Sequence, residues 1–541
     1  MGKAFYGALV MGSCLIACSS NEISLPDAGL PFDAGSDAGP PTPIHFGAFG
    51  PLAGEAGHGS FRFGVSTAAT QIEDQNTRTD WYTWTRPAPD GLGHGVFVDN
   101  AVEGYSRAVD DVTLISSMHL DSYRFSMEWA RIEPERDSID EEALAHYSDE
   151  LDALVSANIH PLVTIHHFSN PIWVDDPRVA NDCPGGPTDE NLCGFHHPTG
   201  APLIIAEIAA HARLLATRFG DRVDDWGTLN EPINYLLASY GLEEFPPGRS
   251  LVLSDFDAFV DTLRNFIRAH VAIYRAIKDA DTVDADGDGI AANVGLTLSV
   301  AEWVPARRNR VSDDPADIAA VERVRYVYHY LFLEALRQGG YDADLDGTPE
   351  EAHPEWYASI DWVGLQYYFR TGVSGAVPLI PRVNATVCFG TFDLGACLPP
   401  LDTTKVVPSM HYEFYEPGIY NLLKDFAERF PETPLVVSES GIATLVDERR
   451  QQHIVRSLEQ IVRARDEGVD VRGYYHWSLT DNFEWAQGYG PRFGLYQVLL
   501  PNYERVATGS TTLLARIANT RVLSIQDRAL HGGLGPMTAE R

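Results

Sequence analysis

From Phe61 onward, short runs of mainly apolar residues alternate with longer stretches in which apolar and polar residues are mixed. The short runs are rich in β-branched and aromatic residues, which is typical of buried β-strands. They cover Phe61–Ala69, Ser122–Trp129, His160–Phe168, Asp225–Glu231, Asn293–Val300, Asp361–Phe369, Pro434–Ser440 and Val471–Leu479. The pattern therefore predicts eight strands, each separated from the next by enough chain for a helix.

The intervening stretches place apolar residues three and four positions apart, which predicts amphipathic helices. Examples are Tyr105–Met118, Pro202–Phe219, Asp257–Ala280 and Asp317–Gln338. Eight strand–helix units favour an α/β fold, namely a single domain built as a (β/α)8 TIM barrel with long βα loops. An open, doubly wound sheet is the alternative, although no Gly-rich phosphate loop follows any predicted strand.

The N-terminus has a different pattern. Lys3 precedes an apolar run from Ala4 to Ala17, which is too short to span a bilayer but fits a signal-peptide core. The run ends Leu-Ile-Ala-Cys at Cys18, which resembles the lipobox of bacterial lipoproteins. We predict a lipoprotein signal over residues 1–18, cut before Cys18, with lipid attached to that cysteine. An ordinary secretory signal is the alternative.

No later segment is judged long and apolar enough to cross a membrane. The mature chain is therefore expected outside the cytoplasm of a bacterium, in the periplasm or on the cell surface, held to the membrane by its lipid alone; secretion is the alternative. Residues 19–50 are rich in Pro, Asp, Ala and Gly, which predicts a flexible tether. The barrel domain is predicted at 55–525 and a C-terminal tail at 526–541.

Composition limits the function further. Of 541 residues, 44% are hydrophobic, which is enough for a large core and excludes disorder of the whole chain. The formal net charge is −36, so the surface repels nucleic acid and anionic lipid headgroups and suits a neutral substrate. The oligomeric state is not predicted.

Four cysteines remain beyond the lipobox. They form two locally spaced pairs, Cys183 with Cys193 and Cys388 with Cys397, each in a Gly- and Pro-rich stretch. Outside the cytoplasm we expect each pair to form a disulfide that closes a loop, although four cysteines allow three pairings. Metal binding by these cysteines is less favoured because no Cys-x-x-Cys spacing occurs.

Polar and aromatic residues gather where the predicted strands end, and these ends share one face in a barrel. Several of these segments resemble family 1 of the glycoside hydrolases, the β-glucosidase and β-galactosidase family. The resemblance rests on Phe61–Glu73, Tyr123–Ser126, Thr228–Pro232, Val437–Gly441, Trp477–Trp485 and Arg492–Gly494, and it extends in order from about residue 60 to about 520. Phe-Pro-Pro-Gly at 245–248 is most similar to the broad-specificity, archaeal-like members.

The resemblance implies a retaining mechanism, in which one carboxylic acid protonates the leaving oxygen and a second carboxylate attacks the sugar carbon. The two carboxyl groups are expected to lie about 5–5.5 Å apart. It makes Glu231 the general acid/base and Glu439 the nucleophile. Arg124 matches the arginine that keeps the nucleophile ionised, and Tyr368 matches the tyrosine that hydrogen-bonds it. Asn230 matches the residue that holds the sugar 2-hydroxyl.

By the same resemblance, five residues bind the sugar: Gln71, His167, Trp477, Glu484 and Trp485. A carboxylate at Glu484 suits neutral hydroxyls and repels phosphate, which argues against 6-phospho-sugars. The sequence departs from the family pattern at three places. Ser440 replaces the usual Asn after the nucleophile, Gln366 replaces the usual Asn before Tyr368, and Ser169-Asn170 replaces an Asp-Leu pair. None of these changes removes a catalytic group.

Two acidic runs open like calcium loops, with Asp at alternate positions followed by Gly. They contain Asp284, Asp286 and Asp288, and Asp342, Asp344 and Asp346. The twelfth positions, Gly295 and His353, lack the bidentate Glu, so a solvated acidic loop is favoured over a structural Ca²⁺ site. No cofactor is expected for the reaction.

The sequence therefore predicts a β-glycosidase that removes non-reducing β-linked glucose, galactose or fucose from small glycosides or oligosaccharides by double displacement. Its partner would be a carbohydrate substrate. A transglycosidase acting at the same site is the alternative within the enzyme class. A non-catalytic glycan-binding surface protein is the alternative outside it.

Overall fold

The computed structural model describes residues 42–179, 183–388 and 393–540. Eight parallel strands in this part of the chain close into a barrel, because each pairs with the next and the eighth pairs with the first. The strands β1 to β8 are Arg62–Ser66, Ser122–Ser126, His160–His166, Asp225–Asn230, Asn293–Arg307, Trp362–Ser374, Leu435–Ser440 and Val471–Trp477. The predicted (β/α)8 fold is confirmed.

Helices cover the outside of the barrel. The main ones, α1 to α9, are Ala108–Ser117, Glu141–Ser156, Gly200–Phe219, Phe256–Ala280, Pro315–Arg325, Leu331–Gln338, Pro417–Arg429, Asp447–Asp466 and Gly509–Thr520. Shorter helices are Ala69–Ile72, Asp80–Thr85, Trp129–Ile132, Pro232–Leu236, Leu251–Ser254 and Ile525–His531. The strands are buried on both faces, which is why they appear in the sequence as nearly continuous apolar runs.

Strands β5 and β6 extend beyond the barrel, farther than the sequence pattern indicated. After a register shift past Tyr367 they pair again, with Arg370 opposite Glu302 and Val373 opposite Pro305. The extension forms a two-stranded ribbon on the face where the strands end. The apolar pattern missed it because polar and charged residues interrupt this part of both strands.

Two helix predictions need correction. The predicted helix Asp317–Gln338 is interrupted by a π-helical turn at Tyr326–Tyr330, so that α5 and α6 are separate. Helix α3 is also long and apolar enough to cross a membrane by length and composition, with a mean hydropathy of 1.2, contrary to the expectation that no such segment follows the signal. Half of the most apolar 18-residue stretch of α3 is buried, because the helix packs its apolar side against the rest of the domain.

The folded unit begins earlier than predicted. Ile44–His45 pairs with Val522–Leu523, and the buried Phe46 ring packs against Phe61 and Phe63. The last part of the predicted tether, from residue 42 to 50, therefore belongs to the folded domain. Phe46 anchors it, and Phe49 stacks on His160 with ring centroids 4.0 Å apart. The signal over 1–18, with Cys18, and residues 19–41 lie outside the described residues.

The C-terminal segment is packed on the domain and does not form a free tail. Beyond the helix that ends at His531, the guanidinium of Arg456 donates to the carbonyl oxygens of Gly535 and Pro536, at 2.7 and 3.0 Å. Arg449 donates to the Thr538 oxygen at 2.9 Å. Both arginines are on the buried side of α8, and they also bond elsewhere: Arg456 pairs with Glu416 at 2.6 Å, and Arg449 donates to the Val406 carbonyl at 2.7 Å. The segment completes the hydrogen bonding of these buried cations.

Both predicted disulfides are present. Cys183 and Cys193 have Cα atoms 5.8 Å apart, and Cys388 and Cys397 have Cα atoms 4.8 Å apart. These separations lie within the range that a disulfide can bridge. Each disulfide closes a loop of about ten residues on the face where the strands end.

A carboxyl group is buried between α2 and the barrel. Glu150 has 7% of its surface exposed, and the charges nearest to it are those of Glu73 and Asp111, both acidic. Burial, aided by these negative neighbours, raises the pKa of Glu150 to about 8. The folded state therefore binds a proton at neutral pH that the unfolded chain releases near pH 4.5.

This proton uptake makes Glu150 a source of pH-dependent stability. A raised folded-state pKa stabilises the fold fully below about pH 4.5, and the contribution is lost as pH rises towards about 8. We expect Glu150→Gln to match the parent in guanidinium unfolding at pH 4 and to be more stable by roughly 4–5 kcal/mol at pH 8.5, because the pKa rises from 4.5 to about 8 and each pKa unit is worth about 1.4 kcal/mol. Asp149→Asn, an exposed neighbour, is the control. Equal stabilities at both pH values would show that Glu150 ionises normally.

Candidate active site

A cavity of about 750 Å³ opens at the carboxyl ends of the barrel strands. It brings together every predicted substrate-handling residue except Arg124, which is fully buried behind Glu439. The predicted residues that line the cavity are Gln71, His167, Asn230, Glu231, Tyr368, Glu439, Trp477, Glu484 and Trp485. A closed barrel accounts for this convergence, because residues far apart in sequence share one face.

Glu439 is held by three donors at the end of β7. Arg124 Nη1 forms an ion pair with its Oε1, and Gln366 Nε2 donates to the same oxygen at 2.7 Å. Tyr368 Oη donates to Oε2 at 2.7 Å. Burial raises the pKa of Glu439, and the Arg124 charge and the hydrogen bonds oppose that rise. The arrangement fixes the carboxylate in one orientation and favours its charged form.

Glu231 follows β4 and has a different environment. Its Oε2 accepts a hydrogen bond from Asn234 Nδ2 at 2.7 Å, and Ser299 also bonds its carboxyl group. Burial, with the Glu439 charge as the second cause, raises the pKa of Glu231 to about 8. Its backbone is left-handed, with φ of 42°, a conformation that costs a non-glycine residue energy and is found most often at functional sites.

The Asn230 side chain is fixed by its oxygen. Its Oδ1 accepts from Arg124 Nη2 at 2.6 Å, from Gln366 Nε2 at 2.8 Å and from Thr297 Oγ1 at 3.1 Å. The amide nitrogen is therefore the group that remains to face the cavity. Gln366, which the sequence marked only as a departure from the family pattern, connects Asn230 to Glu439 and replaces the shorter side chain usual there.

Glu484, Gln71 and His167 form a second polar wall. Gln71 Nε2 donates to the Phe483 carbonyl at 2.8 Å and to Glu484 Oε2 at 3.3 Å. Burial and the Glu439 charge raise the pKa of Glu484 to about 8, whereas burial and Arg124 lower the pKa of His167 well below its ordinary value. Gln71 Oε1 and His167 Nδ1 are buried without hydrogen-bond partners among the described residues. Such atoms suit the hydroxyl groups of a ligand.

Aromatic rings complete this wall. The His167 ring is nearly parallel to those of Trp477 and Trp485, with centroids 6.1 and 6.0 Å away. The Trp477 side chain also hydrogen-bonds Glu484. Flat apolar surfaces beside hydrogen-bonding groups match a sugar ring, which has one apolar face and a rim of hydroxyls.

The outer cavity wall contains residues that the sequence did not reveal. Trp303 and Phe369 lie on the β5–β6 ribbon, and Tyr412 lies on a hairpin formed by Val406–Val407 and Tyr412–Glu413. Phe369 is the last residue of a predicted strand, and Trp303 lies three residues past another, so the sequence placed both near strand ends without indicating a role. Nothing in the sequence signals Tyr412, because its position depends on how the loop after β6 folds.

The other two departures from the family pattern have structural partners. Ser440 Oγ donates to the Tyr367 carbonyl at 3.1 Å and lies 3.4 Å from His453 Nε2. Ser169 Oγ donates to both oxygens of Glu128, at 3.1 and 3.0 Å. Asn170 Nδ2 donates to Asp80 at 3.1 Å and to the hydroxyl of Tyr235 at 2.7 Å. These side chains support the site from behind and do not line the cavity.

The acidic runs lie before β5 and β6, at the opposite end of the barrel. Carboxylate oxygens of Asp342, Asp344 and Asp346 lie within 4.8 Å of each other and of Glu350; Asp284 and Asp286 form a similar group with Asp224, without Asp288. Backbone N–H groups donate to these carboxylates, which accounts for the grouping without a cation. That these runs are solvated acidic loops rather than Ca²⁺ sites stays a prediction.

Comparison with known proteins agrees with this geometry. The sequence profile of Glycosyl hydrolase family 1 matches residues 57–522. A β-galactosidase of Pyrococcus woesei is 30% identical over 526 residues, covering 87% of this chain and 99% of the relative. β-Glucosidase A of Thermotoga maritima is 30% identical over 475 residues, covering 83% and 95%.

Solved structures give the same result. A β-glycosidase from Pyrococcus horikoshii superposes with a TM-score of 0.71 at 26% identity, covering 89% of this chain and 98% of the other. The Thermotoga maritima family 1 β-glucosidase in complex with isofagomine lactam has a TM-score of 0.69 at 27% identity, covering 86% and 98%. With its closed barrel and paired carboxylates, the chain belongs to glycoside hydrolase family 1 and is a retaining β-glycosidase.

Proposed function

We propose that Glu439 is the nucleophile and Glu231 the general acid/base of this glycosidase. The observation that carries the proposal is the difference between the two carboxyl groups. Glu439 contacts the Arg124 guanidinium, whereas Glu231 accepts only neutral hydrogen bonds and is destabilised as an anion by Glu439. A retaining glycosidase needs one carboxylate and one carboxylic acid at neutral pH, and this asymmetry supplies both.

In the first step the Glu439 carboxylate attacks the anomeric carbon while the bond to the leaving oxygen breaks. Glu231 gives its proton to that oxygen, and a glycosyl ester forms on Glu439. Esterification removes the negative charge of Glu439, which is one cause of the raised pKa of Glu231. The Glu231 pKa therefore falls in the intermediate, and the ionised group can take a proton from the water that attacks in the second step.

The neighbouring residues position the sugar. Asn230 would donate from its amide nitrogen to the sugar hydroxyl beside the anomeric carbon, since its oxygen is already occupied. Tyr368 would orient Glu439 through Oε2 and leave Oε1 to Arg124 and Gln366. These contacts pre-organise the nucleophile before the substrate binds.

We propose a neutral, non-reducing β-linked glucose, galactose or fucose unit as the sugar that is removed. Gln71, His167 and Glu484 offer acceptors to hydroxyl groups, and Trp477 and Trp485 offer apolar surface. The negative charge of Glu439, which adds to burial in raising the pKa of the neighbouring Glu484, disfavours a phosphate or a uronic acid in this part of the site. The relatives named β-galactosidase and β-glucosidase are consistent with this class of substrate.

We further propose that the mature enzyme works outside the cytoplasm, anchored through lipid on Cys18. The support is the Leu-Ile-Ala-Cys sequence ending at that residue and the presence of two disulfides in the catalytic domain. Disulfides persist in oxidising compartments and are rare in the cytosol.

Substitution of each glutamate tests the assignment of roles. Glu439→Ala should lower turnover of nitrophenyl β-glycosides by roughly 10⁴-fold or more, because no covalent intermediate can form. Glu231→Ala should cost roughly 10²–10⁴-fold with poor leaving groups and much less with dinitrophenol, which needs no proton. Glu432→Gln, an exposed residue shortly before β7, should match the parent.

Azide separates the two roles by product stereochemistry. With Glu439→Ala, azide replaces the nucleophile and should give the α-glycosyl azide by a single inversion. With Glu231→Ala, azide attacks the glycosyl ester and should give the β-product by two inversions. Interchanged products would reverse the assignment, and binding of sugar without turnover by the parent would indicate a glycan-binding protein.

The pH dependence follows from the same two groups. We expect a bell-shaped profile of kcat/KM, with the alkaline limb near pH 8, where Glu231 loses the proton that it must donate. The acid limb reports protonation of Glu439. For Glu231→Ala acting on a dinitrophenyl glycoside, the alkaline limb should disappear. Its persistence would assign that limb to another group, of which Glu484 is the nearest candidate.

We propose that the reaction uses no metal ion, since both chemical roles are filled by carboxyl groups. Dialysis against EDTA should therefore leave kcat unchanged. A lower melting temperature with unchanged kcat would indicate calcium at the acidic runs, at the far end of the barrel. Loss of kcat that Ca²⁺ restores would contradict the proposal.

A further inference from the structure

The outer cavity wall contains a hairpin held in place by a buried ion pair. Val406–Val407 pairs with Tyr412–Glu413, and Glu413 is opposite Arg370 of β6. Arg370 donates to Glu413 Oε2 through Nε and Nη2, at 3.0 and 2.6 Å, and the other Glu413 oxygen accepts from the backbone of Leu401 at 2.7 Å. Both charged groups are almost fully buried, so the hairpin is fixed to the ribbon rather than loosely attached.

Tyr412 projects from this hairpin into the cavity. Its ring stacks on Phe369, with centroids 5.2 Å apart and an angle of 26° between the planes. Its hydroxyl is buried, yet it has no hydrogen-bond partner in the part of the chain that the structure describes. A buried hydroxyl without a partner costs free energy in the empty site, and a ligand that supplies a partner recovers it.

Tyr412 and Glu484 line the same cavity. Burial, with Glu484 as the second cause, raises the pKa of Tyr412 above its ordinary value. The phenol therefore keeps its proton and can donate a hydrogen bond. Glu484, in the same cavity, can accept one. A sugar hydroxyl both donates and accepts, so it complements this pair, whereas a hydrogen atom at the same position complements neither.

We propose that the Tyr412 hydroxyl donates a hydrogen bond to a hydroxyl oxygen of the bound sugar on the Glu484 side of the cavity, and so helps to determine specificity. The inference rests on the proposed function, because it takes the cavity as the glycoside site. It adds a polar contact from a loop that lies outside the motifs shared with the family. It also gives a role to a tyrosine hydroxyl that has no hydrogen-bond partner among the described residues, on a hairpin fixed by an ion pair.

The test combines Tyr412→Phe with substrates that each lack one hydroxyl. Phenylalanine keeps the ring stacked on Phe369 and removes only the donor. On the parent nitrophenyl β-glucoside we expect kcat/KM to fall about three- to tenfold, the value of one neutral hydrogen bond. Within a series of monodeoxy nitrophenyl β-glucosides, one substrate should be hydrolysed equally by the two enzymes. That substrate lacks the hydroxyl that Tyr412 contacts.

Tyr415→Phe is the matched control, because Tyr415 is three residues along the same segment and does not line the cavity. It should leave kcat/KM unchanged on every substrate. The melting temperature of Tyr412→Phe should be equal to or above that of the parent, since an unpartnered buried hydroxyl is removed. A purely structural role for Tyr412 would instead lower stability and reduce kcat/KM equally across the series.

Two results would overturn the inference while the proposed function stands. One is a parent enzyme that hydrolyses the glucosides and a Tyr412→Phe variant with the same kcat/KM on all of them. The other is a loss of the same size on every deoxy substrate, or a loss seen only with disaccharides, which would place the contact on the leaving group. If the parent hydrolyses no β-glycoside, the proposed function itself fails.

Discussion

One buried cation organises the catalytic face of this barrel. Arg124, at 0% exposure, reaches Glu439 through Nη1, and Asn230 at 2.6 Å and Thr297 at 3.2 Å through Nη2. These partners end or lie on three other strands, so one planar guanidinium fixes groups from across the barrel. The cost of removing both charges from water offsets much of their attraction, so the main consequence of the ion pair is chemical rather than stabilising.

The chemical consequence of the Arg124–Glu439 ion pair is that two neighbouring glutamates differ in protonation. Without a cation on one side, two buried carboxyl groups would compete for one proton, and either could hold it. Arg124 favours the charged form of Glu439, and the charge of Glu439 in turn favours the protonated form of Glu231. In the proposed mechanism the same coupling is removed when Glu439 becomes esterified, so Glu231 would act as an acid in the first step and as a base in the next.

The outer part of the site depends on a second group of buried arginines. Arg370 fixes the hairpin that carries Tyr412, and Arg449 donates to the carbonyl oxygens of Val406, at the start of that hairpin, and of Thr538 near the C-terminus. The C-terminal segment is therefore joined to a wall of the cavity through one side chain of α8. The hairpin and the C-terminal segment are thus held by charge-assisted hydrogen bonds from arginines, to Glu413 in one case and to backbone carbonyls in the other.

The sequence by itself determined the eight strands and most helices, because fully buried strands require nearly unbroken apolar runs. Its resemblance to the family singled out Glu231 and Glu439, the proposed catalytic pair, and both line the cavity. Only the tertiary structure decided what depends on contacts distant in sequence. The ribbon beyond β5 and β6, the interrupted helix and the packed C-terminus have no local signal, since polar residues there are stabilised by partners elsewhere in the chain. The position of Tyr412 also has no local sequence signal, because only the folded loop brings this residue to the cavity.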